Sequence, residues 1–268
     1  MSDPFVSWFS PETPPYRIGR RVLHLEQTTS TNTVAAEYAQ DPANEGLVVL
    51  ADTQTAGRGR LGRSWSSPPG EGIWVSVLLF PPEPLRRSSL LTILAAVAVC
   101  ETIHDLVHLQ CSIKWPNDVY IQGKKVCGVL VEQNLGAFGG TPSAILGIGL
   151  NVSTPAERFA AAGLHQAGSL AMFAEHVPNR RAVFQTLLHR LDNDYHELLA
   201  GQWADLESRW RWHSGLLGRH VRLVSNGEAL EGRLLELSFD GIVLQDDQGN
   251  CRGFVPESVT ELLAIRRR

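Results

Sequence analysis

The segment Gly57-Arg58-Gly59-Arg60-Leu61-Gly62-Arg63 sets three guanidinium groups and three glycines within seven residues. Guanidinium groups stay charged and present forked donors that match carboxylate and phosphate oxygens. Glycines let the backbone turn tightly and approach a ligand closely. The pattern predicts a loop that closes over an anion. A solvated arginine loop is the alternative, but three like charges held together gain nothing from their mutual repulsion. The spacing also reads as G-x-G-x-x-G. That dinucleotide fingerprint needs a helix starting inside it and an acid about 20 residues later. Here Ser66-Ser67-Pro68-Pro69-Gly70 follows, which is no helix interior, and Leu78-Leu79-Phe80-Pro81-Pro82 stands where the acid belongs. The sequence also lacks the G-K-[ST] of a P-loop.

Of 24 basic residues only three are lysine, and all lie in Lys114-Trp115-Pro116-Asn117-Asp118-Val119-Tyr120-Ile121-Gln122-Gly123-Lys124-Lys125. Lysine brings a compact charge on a flexible stem, work a guanidinium does not do. Gln122-Gly123-Lys124 reads as a tight turn between strands, which leaves Lys124 a turn-tip charge and Lys125 the stronger candidate for chemistry.

These groups must be positioned by an ordinary globular chain. The 268 residues are 43% hydrophobic and 19% charged, enough for one large domain or for one large and one small. A net charge of −4 argues against general nucleic-acid binding. Cys100, Cys111, Cys127 and Cys251 form no C-x-x-C pair and read as buried thiols in a reducing compartment. The nine histidines show no H-E-x-x-H spacing, so no protein-bound metal is expected. With no signal pattern and no apolar run near membrane-spanning length, a cytoplasmic protein is expected, without a membrane partner.

Residues 1–24, rich in proline and aromatics, read as an irregular arm. Strands are predicted at residues 47–51, 73–80, 111–115, 119–122, 126–133 and 144–152. Helices are predicted after Ser30-Thr31-Asn32, from a cap at Ser88 or Ser89 to about Val107, over residues 179–199, and over 203–212. From Gly218 onward short strands recur between Asn226-Gly227, Asp240-Gly241 and Gln248-Gly249-Asn250, which predicts a small barrel-like β domain at 215–268 after a domain at 25–214. The terminal Arg266-Arg267-Arg268 reads as a solvated tail.

Taken together, Gly57 to Trp65, Lys114 to Asp118, Lys125-Val126-Cys127-Gly128-Val129-Leu130-Val131-Glu132 and Gly147-Ile148-Gly149-Leu150-Asn151 resemble the signature blocks of biotin protein ligases. The resemblance runs from about Thr28 to the C-terminus, and the blocks are specific only in combination. It implies an α+β fold: a mixed sheet with helices on one side, like class II aminoacyl-tRNA synthetases, plus a C-terminal SH3-like barrel. It implies a carbon–nitrogen ligase. Biotin and ATP would give biotinyl-5′-AMP and pyrophosphate, and biotin would pass to one lysine of a biotin carboxyl carrier protein, with Mg²⁺ carried on the ATP phosphates.

By the same resemblance Ser30, Thr31, Asn32, Gln54, Gly57, Arg58, Trp65, Lys125, Gly128, Leu130 and Gly147 would bind biotin. Arg58, Arg60, Arg63, Asn117, Lys125 and Asn151 would hold the nucleotide. Lys125 and Arg60 would act in adenylation, with Asp118 as proton acceptor for the acceptor lysine. Plain alternatives stand beside these roles: a helix cap for Ser30 or Thr31, a loop amide for Gln54, core for Trp65, turn chemistry for Asn117, a turn cap for Asp118. Cys127 is expected beside Gly128 in the pocket, open to alkylation. Many relatives carry an N-terminal DNA-binding domain; the resemblance here is to the monofunctional type, so no operator binding is expected. The same architecture serves lipoate–protein ligases, and a non-catalytic biotin or nucleotide sensor is a rival of another class. The chain is expected to be a monomer or homodimer.

Overall fold

The computed structural model describes residues 5–6, 16–135 and 141–265. Its larger sheet has eight strands in the order β1-β2-β3-β4-β8-β7-β6-β5. They are β1 (Phe5–Val6), β2 (Val22–Thr28), β3 (Val48–Gln54), β4 (Gly72–Leu79), β5 (Ser112–Lys114), β6 (Asp118–Ile121), β7 (Lys124–Asn134) and β8 (Ser143–Asn151). Only β2 and β3 pair in parallel, so the sheet is mixed. Two of these strands cut across the expected arm at 1–24: Phe5–Val6 pairs with β2, and β2 itself begins at Val22. Tyr16, Arg17 and Ile18 of the arm donate their backbone N–H groups to the Asp192 carboxylate, while residues 1–4 and 7–15 and the Arg266-Arg267-Arg268 tail lie outside the described residues.

Among the described residues five α-helices flank the sheet: α1 (Thr31–Glu37), α2 (Ser88–Val107), α3 (Ala156–Ala161), α4 (Arg180–Leu199) and α5 (Ala204–Ser214). Thirteen residues of α2 are buried. By length and composition this helix could cross a membrane; here it is the core helix between the sheet and α4. Its N-cap is Arg87, and neither expected serine caps it. Ser89 instead bonds Glu257, which also pairs with Arg87.

The helices do not all share one side, as the resemblance implied. Val48, Leu50, Val77, Leu79, Leu146 and Ile148 pack with α2, whereas Leu47, Val49, Leu78 and Ile145 pack with Ala35 and Ala39 around α1. Alternate strand residues point to opposite faces, so α1 covers the face opposite α2. Being short, it leaves part of that face uncovered.

The C-terminal sheet has the order β12-β11-β10-β9-β13, built from β9 (His220–Ser225), β10 (Glu228–Leu237), β11 (Ile242–Gln245), β12 (Cys251–Phe254) and β13 (Val259–Ala264). All its pairings are antiparallel. Gly215 ends α5 in a left-handed conformation ahead of β9. The Trp115 indole donates to the Val259 carbonyl at 2.9 Å, and Trp210 lies between Trp115 and Phe239. This apolar joint anchors β13 beside the Lys114–Asp118 block.

Candidate active site

The part of the sheet that α1 leaves uncovered is floored by glycine. Across β4, β8 and β7, Ser76 pairs with Gly147 and Gly147 with Leu130, while Gly149 pairs with Gly128. A Cβ on any of the three glycines would collide. At Gly147 it would lie 2.4 Å from Asn32 Oδ1, at Gly149 2.4 Å from Trp65 Nε1, and at Gly128 2.9 Å from the Trp65 ring. The missing side chains leave a trough in the sheet that the Asn32 amide and the Trp65 indole occupy. Trp65 is half-buried, and its buried Nε1 has no hydrogen-bond partner among the described residues.

A cleft of about 1010 Å³ opens over this floor. Ser30, Thr31, Asn32, Gln54, Arg58, Arg60, Arg63, Trp65, Asn117, Asp118, Lys125, Gly128, Leu130, Gly147 and Asn151 all line it. Gly57, an expected ligand-binding residue, does not line it. Its Cβ would meet the Trp65 carbonyl at 2.5 Å, and its own carbonyl accepts from Trp65 N at 2.8 Å. Gly57 therefore closes the base of the arginine loop. Gly59 N donates to the Arg63 carbonyl at 2.7 Å, and Arg58 bridges Ser64, so the loop folds back as a small hairpin. At its tip Leu61 is left-handed (φ 57°) and 88% exposed.

One end of the cleft is lined by hydroxyls and amides. Ser30 is the α1 N-cap by position, yet its hydroxyl makes no capping bond. Gln54 Oε1 accepts from Thr31 N at 2.9 Å, and Gln54 Nε2 donates to Ser67 Oγ at 2.8 Å. Arg58 reaches back to this end, pairing with Glu132 at 2.8 Å and donating to Thr33 at 2.7 Å. The other end is cationic, with Lys125 and Arg60. Arg60 donates to Asn117 Oδ1 at 3.2 Å.

Lys125 reaches the cleft because β7 carries a bulge. Tyr120 pairs with Lys125 but Val119 pairs with Cys127, which leaves Val126 as an extra residue. Strand alternation would otherwise put Lys125 on the same face as Cys127. The bulge shifts the parity, so Lys125, Gly128 and Leu130 share the cleft side while Val126, Cys127 and Val129 are buried. Lys125 Nζ lies 2.6 Å from Asp118 Oδ1 and 5.3 Å from the Trp65 ring centre. Burial, and then the Asp118 charge, raise the Tyr120 phenol above its ordinary range.

Cys127 belongs to the core, not the pocket. It is fully buried on the α2 face, and burial pushes its thiol far up despite the opposing effect of Lys125. Cys251, also expected to be buried, is exposed. Asn117 and Asn151 both line the cleft, but each spends an amide hydrogen on backbone. Asn117 donates to the Val129 carbonyl at 2.8 Å and Asn151 to the Gly168 carbonyl at 2.9 Å.

Several groups in or behind the cleft wall have no role in the sequence analysis. Ser76, fully buried behind it, contacts Thr31 and Asn32; its signal is a lone hydroxyl inside the apolar run of β4. Residues 163–167 wall the cleft, with Lys125 N donating to the Gln166 carbonyl at 2.7 Å; nothing in their sequence marked them. Thr260, Glu261 and Leu263 bring β13 to the rim. Among the described residues no group of three or more His, Cys, Asp or Glu could hold a metal ion.

Comparison with known proteins places this cleft in a family. Residues 24–151 match the biotin/lipoate A/B protein ligase family. The chain is 34% identical over 231 residues to the bifunctional ligase/repressor BirA of Bacillus spizizenii, covering 86% of this chain and 71% of that one. It is 30% identical to the biotin–[acetyl-CoA-carboxylase] ligase of Mycobacterium tuberculosis, covering 86% and 85%. The biotin protein ligase of Aquifex aeolicus, solved with biotin and ATP, superposes with a TM-score of 0.72 at 28% identity, covering 91% of this chain and 99% of that one. With the signature blocks gathered around one glycine-floored cleft, the chain belongs to the biotin protein ligase family.

Proposed function

We propose that this protein activates biotin with ATP and transfers it to a lysine of a biotin carboxyl carrier protein. The observation that carries this reading is the polarity of the cleft along its length. Hydroxyl and amide groups of Ser30, Thr31 and Gln54 stand at one end, with Arg58 held beside them on Thr33 and Glu132; the Trp65 indole on its glycine strands lies between, and Lys125 with Arg60 stands at the other end. A ureido head, an apolar bicycle and a carboxylate, in that order, match those three zones. The dithiolane of lipoate has no hydrogen-bonding head to match the first.

In the first step a biotin carboxylate oxygen attacks the α-phosphorus of ATP and pyrophosphate leaves. Two anions must meet, so fixed positive charge in a sheltered cleft lowers the barrier. Lys125, held between Asp118 and the indole, would bridge carboxylate and α-phosphate. The exposed arginine loop would close over the adenylate and keep water from the mixed anhydride. Mg²⁺ would enter on the phosphates. In the second step the acceptor lysine amine attacks the acyl carbon, AMP leaves, and Asp118 accepts the amine proton. Rim residues Thr260, Glu261 and Leu263 would complete the nucleotide end. A reducing, cytoplasmic setting agrees with the four free cysteines.

The test is exchange of labelled pyrophosphate into ATP, with biotin and lipoate in parallel. Exchange driven by biotin supports the reading. Exchange driven by lipoate alone moves the protein to the sister activity, and no exchange with either favours a sensor.

A further inference from the structure

Asn32 lines the biotin end of the cleft, yet both ends of its amide are engaged within the protein. Asn32 Nδ2 donates to Glu132 Oε2 at 2.6 Å, and its Oδ1 lies 2.5 Å from Ser76 Oγ over the bare Cα of Gly147. A carboxylate in an ion pair with Arg58 accepts and does not donate. It therefore fixes which way the amide points, with nitrogen toward Glu132 and oxygen toward Ser76. An amide oxygen also only accepts, so the single Ser76 proton is committed to Asn32. Ser76 Oγ is 2.7 Å from Thr31 Oγ1, a contact that now requires the Thr31 proton. Gln54 Oε1, 3.2 Å from Thr31 Oγ1, is the other acceptor within its reach. Whichever of the two takes that proton, it stays inside the protein. What Thr31 presents to the cleft is a lone pair.

We propose that Glu132, Asn32 and Ser76 form a one-way hydrogen-bond chain that fixes the Thr31 hydroxyl as an acceptor, so that the cleft selects a ligand N–H at this point and rejects an isosteric oxygen. The three are positioning residues that act through Thr31. The proposal rests on biotin as the substrate. Ser76 and Asn32 are buried, so the inner links of the chain are shielded from water that would scramble their direction, while Glu132 at its outer end is held by the Arg58 ion pair. Selectivity of this kind is strong, because a buried acceptor facing an acceptor leaves both unpaired.

The probe is a biotin analogue in which one ureido N–H is replaced by oxygen, a cyclic carbamate. Adenylation kcat/KM is measured for biotin and for the carbamate with the wild type, Ser76→Ala and Glu132→Gln. Ser76→Ala removes the nearer acceptor and leaves the Thr31 proton only the longer, 3.2 Å contact to Gln54 Oε1, so that it can turn toward a ligand acceptor. Glu132→Gln gives Asn32 a partner that can donate as well as accept. The biotin-to-carbamate ratio falls at least about tenfold in each variant, roughly the worth of one hydrogen bond. A network that merely supports the fold would lower both substrates together and leave the ratio unchanged; that result overturns the proposal. A wild type that activates neither biotin nor the carbamate overturns instead the biotin reading beneath it.

Discussion

Gly149→Ala isolates the trough from the rest of the cleft. The added Cβ would lie 2.4 Å from Trp65 Nε1, 2.5 Å from Cε2 and 3.0 Å from Cζ2. Ordinary carbon contacts begin near ~3.5 Å, so the indole must retreat by about 1 Å. Retreat is available, because Trp65 sits at the foot of the exposed arginine loop, while Gly149 is held by pairing to Trp74 on one side and Gly128 on the other. The strand stays and the indole moves. Misplacing a substrate by about 1 Å costs on the order of 100-fold, so kcat/KM for biotin falls ten- to roughly a hundredfold. Unfolding free energy stays within about 1 kcal/mol of wild type, because the methyl displaces a loop side chain and not the core. Steady-state adenylation and denaturant unfolding read the two quantities separately. A variant with wild-type kcat/KM would refute Trp65 as the wall over the ligand.

Further outcomes follow from the cationic end and from the buried thiol. Lys125→Ala lowers single-turnover adenylation by roughly 10²–10³-fold, the usual cost of losing one preorganised charge. Lys125→Arg does not restore it, because a planar fork cannot replace a compact ammonium held 2.6 Å from Asp118; adenylation within threefold of wild type in Lys125→Ala would remove Lys125 from the reaction. Arg60→Gly breaks the 3.2 Å contact to Asn117 and loosens the loop, so biotinyl-AMP escapes faster and labels bystander lysines; unchanged retention in a filter assay would count against closure by this loop. Iodoacetamide modifies exposed Cys251 in the native protein, whereas Cys100 and Cys127, whose thiols burial pushes upward, react only on unfolding. Native modification of Cys127 with loss of activity would return it to the pocket.

The sequence reading reached the site further than it reached the geometry. Charged and glycine-rich blocks are legible because their residue types are costly anywhere else; three clustered arginines and a Gly-x-Gly strand have few other uses. The tight turn at Gln122-Gly123 was legible for the same reason, and both residues have positive φ there. What escaped was parity and distance. Nothing local announces the extra residue at Val126, so simple alternation could not say that Lys125 faces the cleft and Cys127 the core. Gly57 looked like its loop neighbours, and only three dimensions show the Trp65 carbonyl above it. Strand β2 has an apolar start, Val22-Leu23-His24-Leu25, but its polar second half, Glu26-Gln27-Thr28, carries no strand alternation that sets it apart from the proline-rich arm. Residues 163–167 and β13 come to the cleft through long-range packing alone, as with the Trp115–Val259 bond across 144 residues.

The most direct test of the account is to mix the protein with biotin, ATP and Mg²⁺ and a biotin carboxyl carrier domain, and to weigh the carrier intact. The account predicts a mass increase of one biotin on a single lysine, one pyrophosphate released per biotin, and no change when ATP is withheld. Pyrophosphate release with an unmodified carrier, or a carrier modified without ATP, would contradict it.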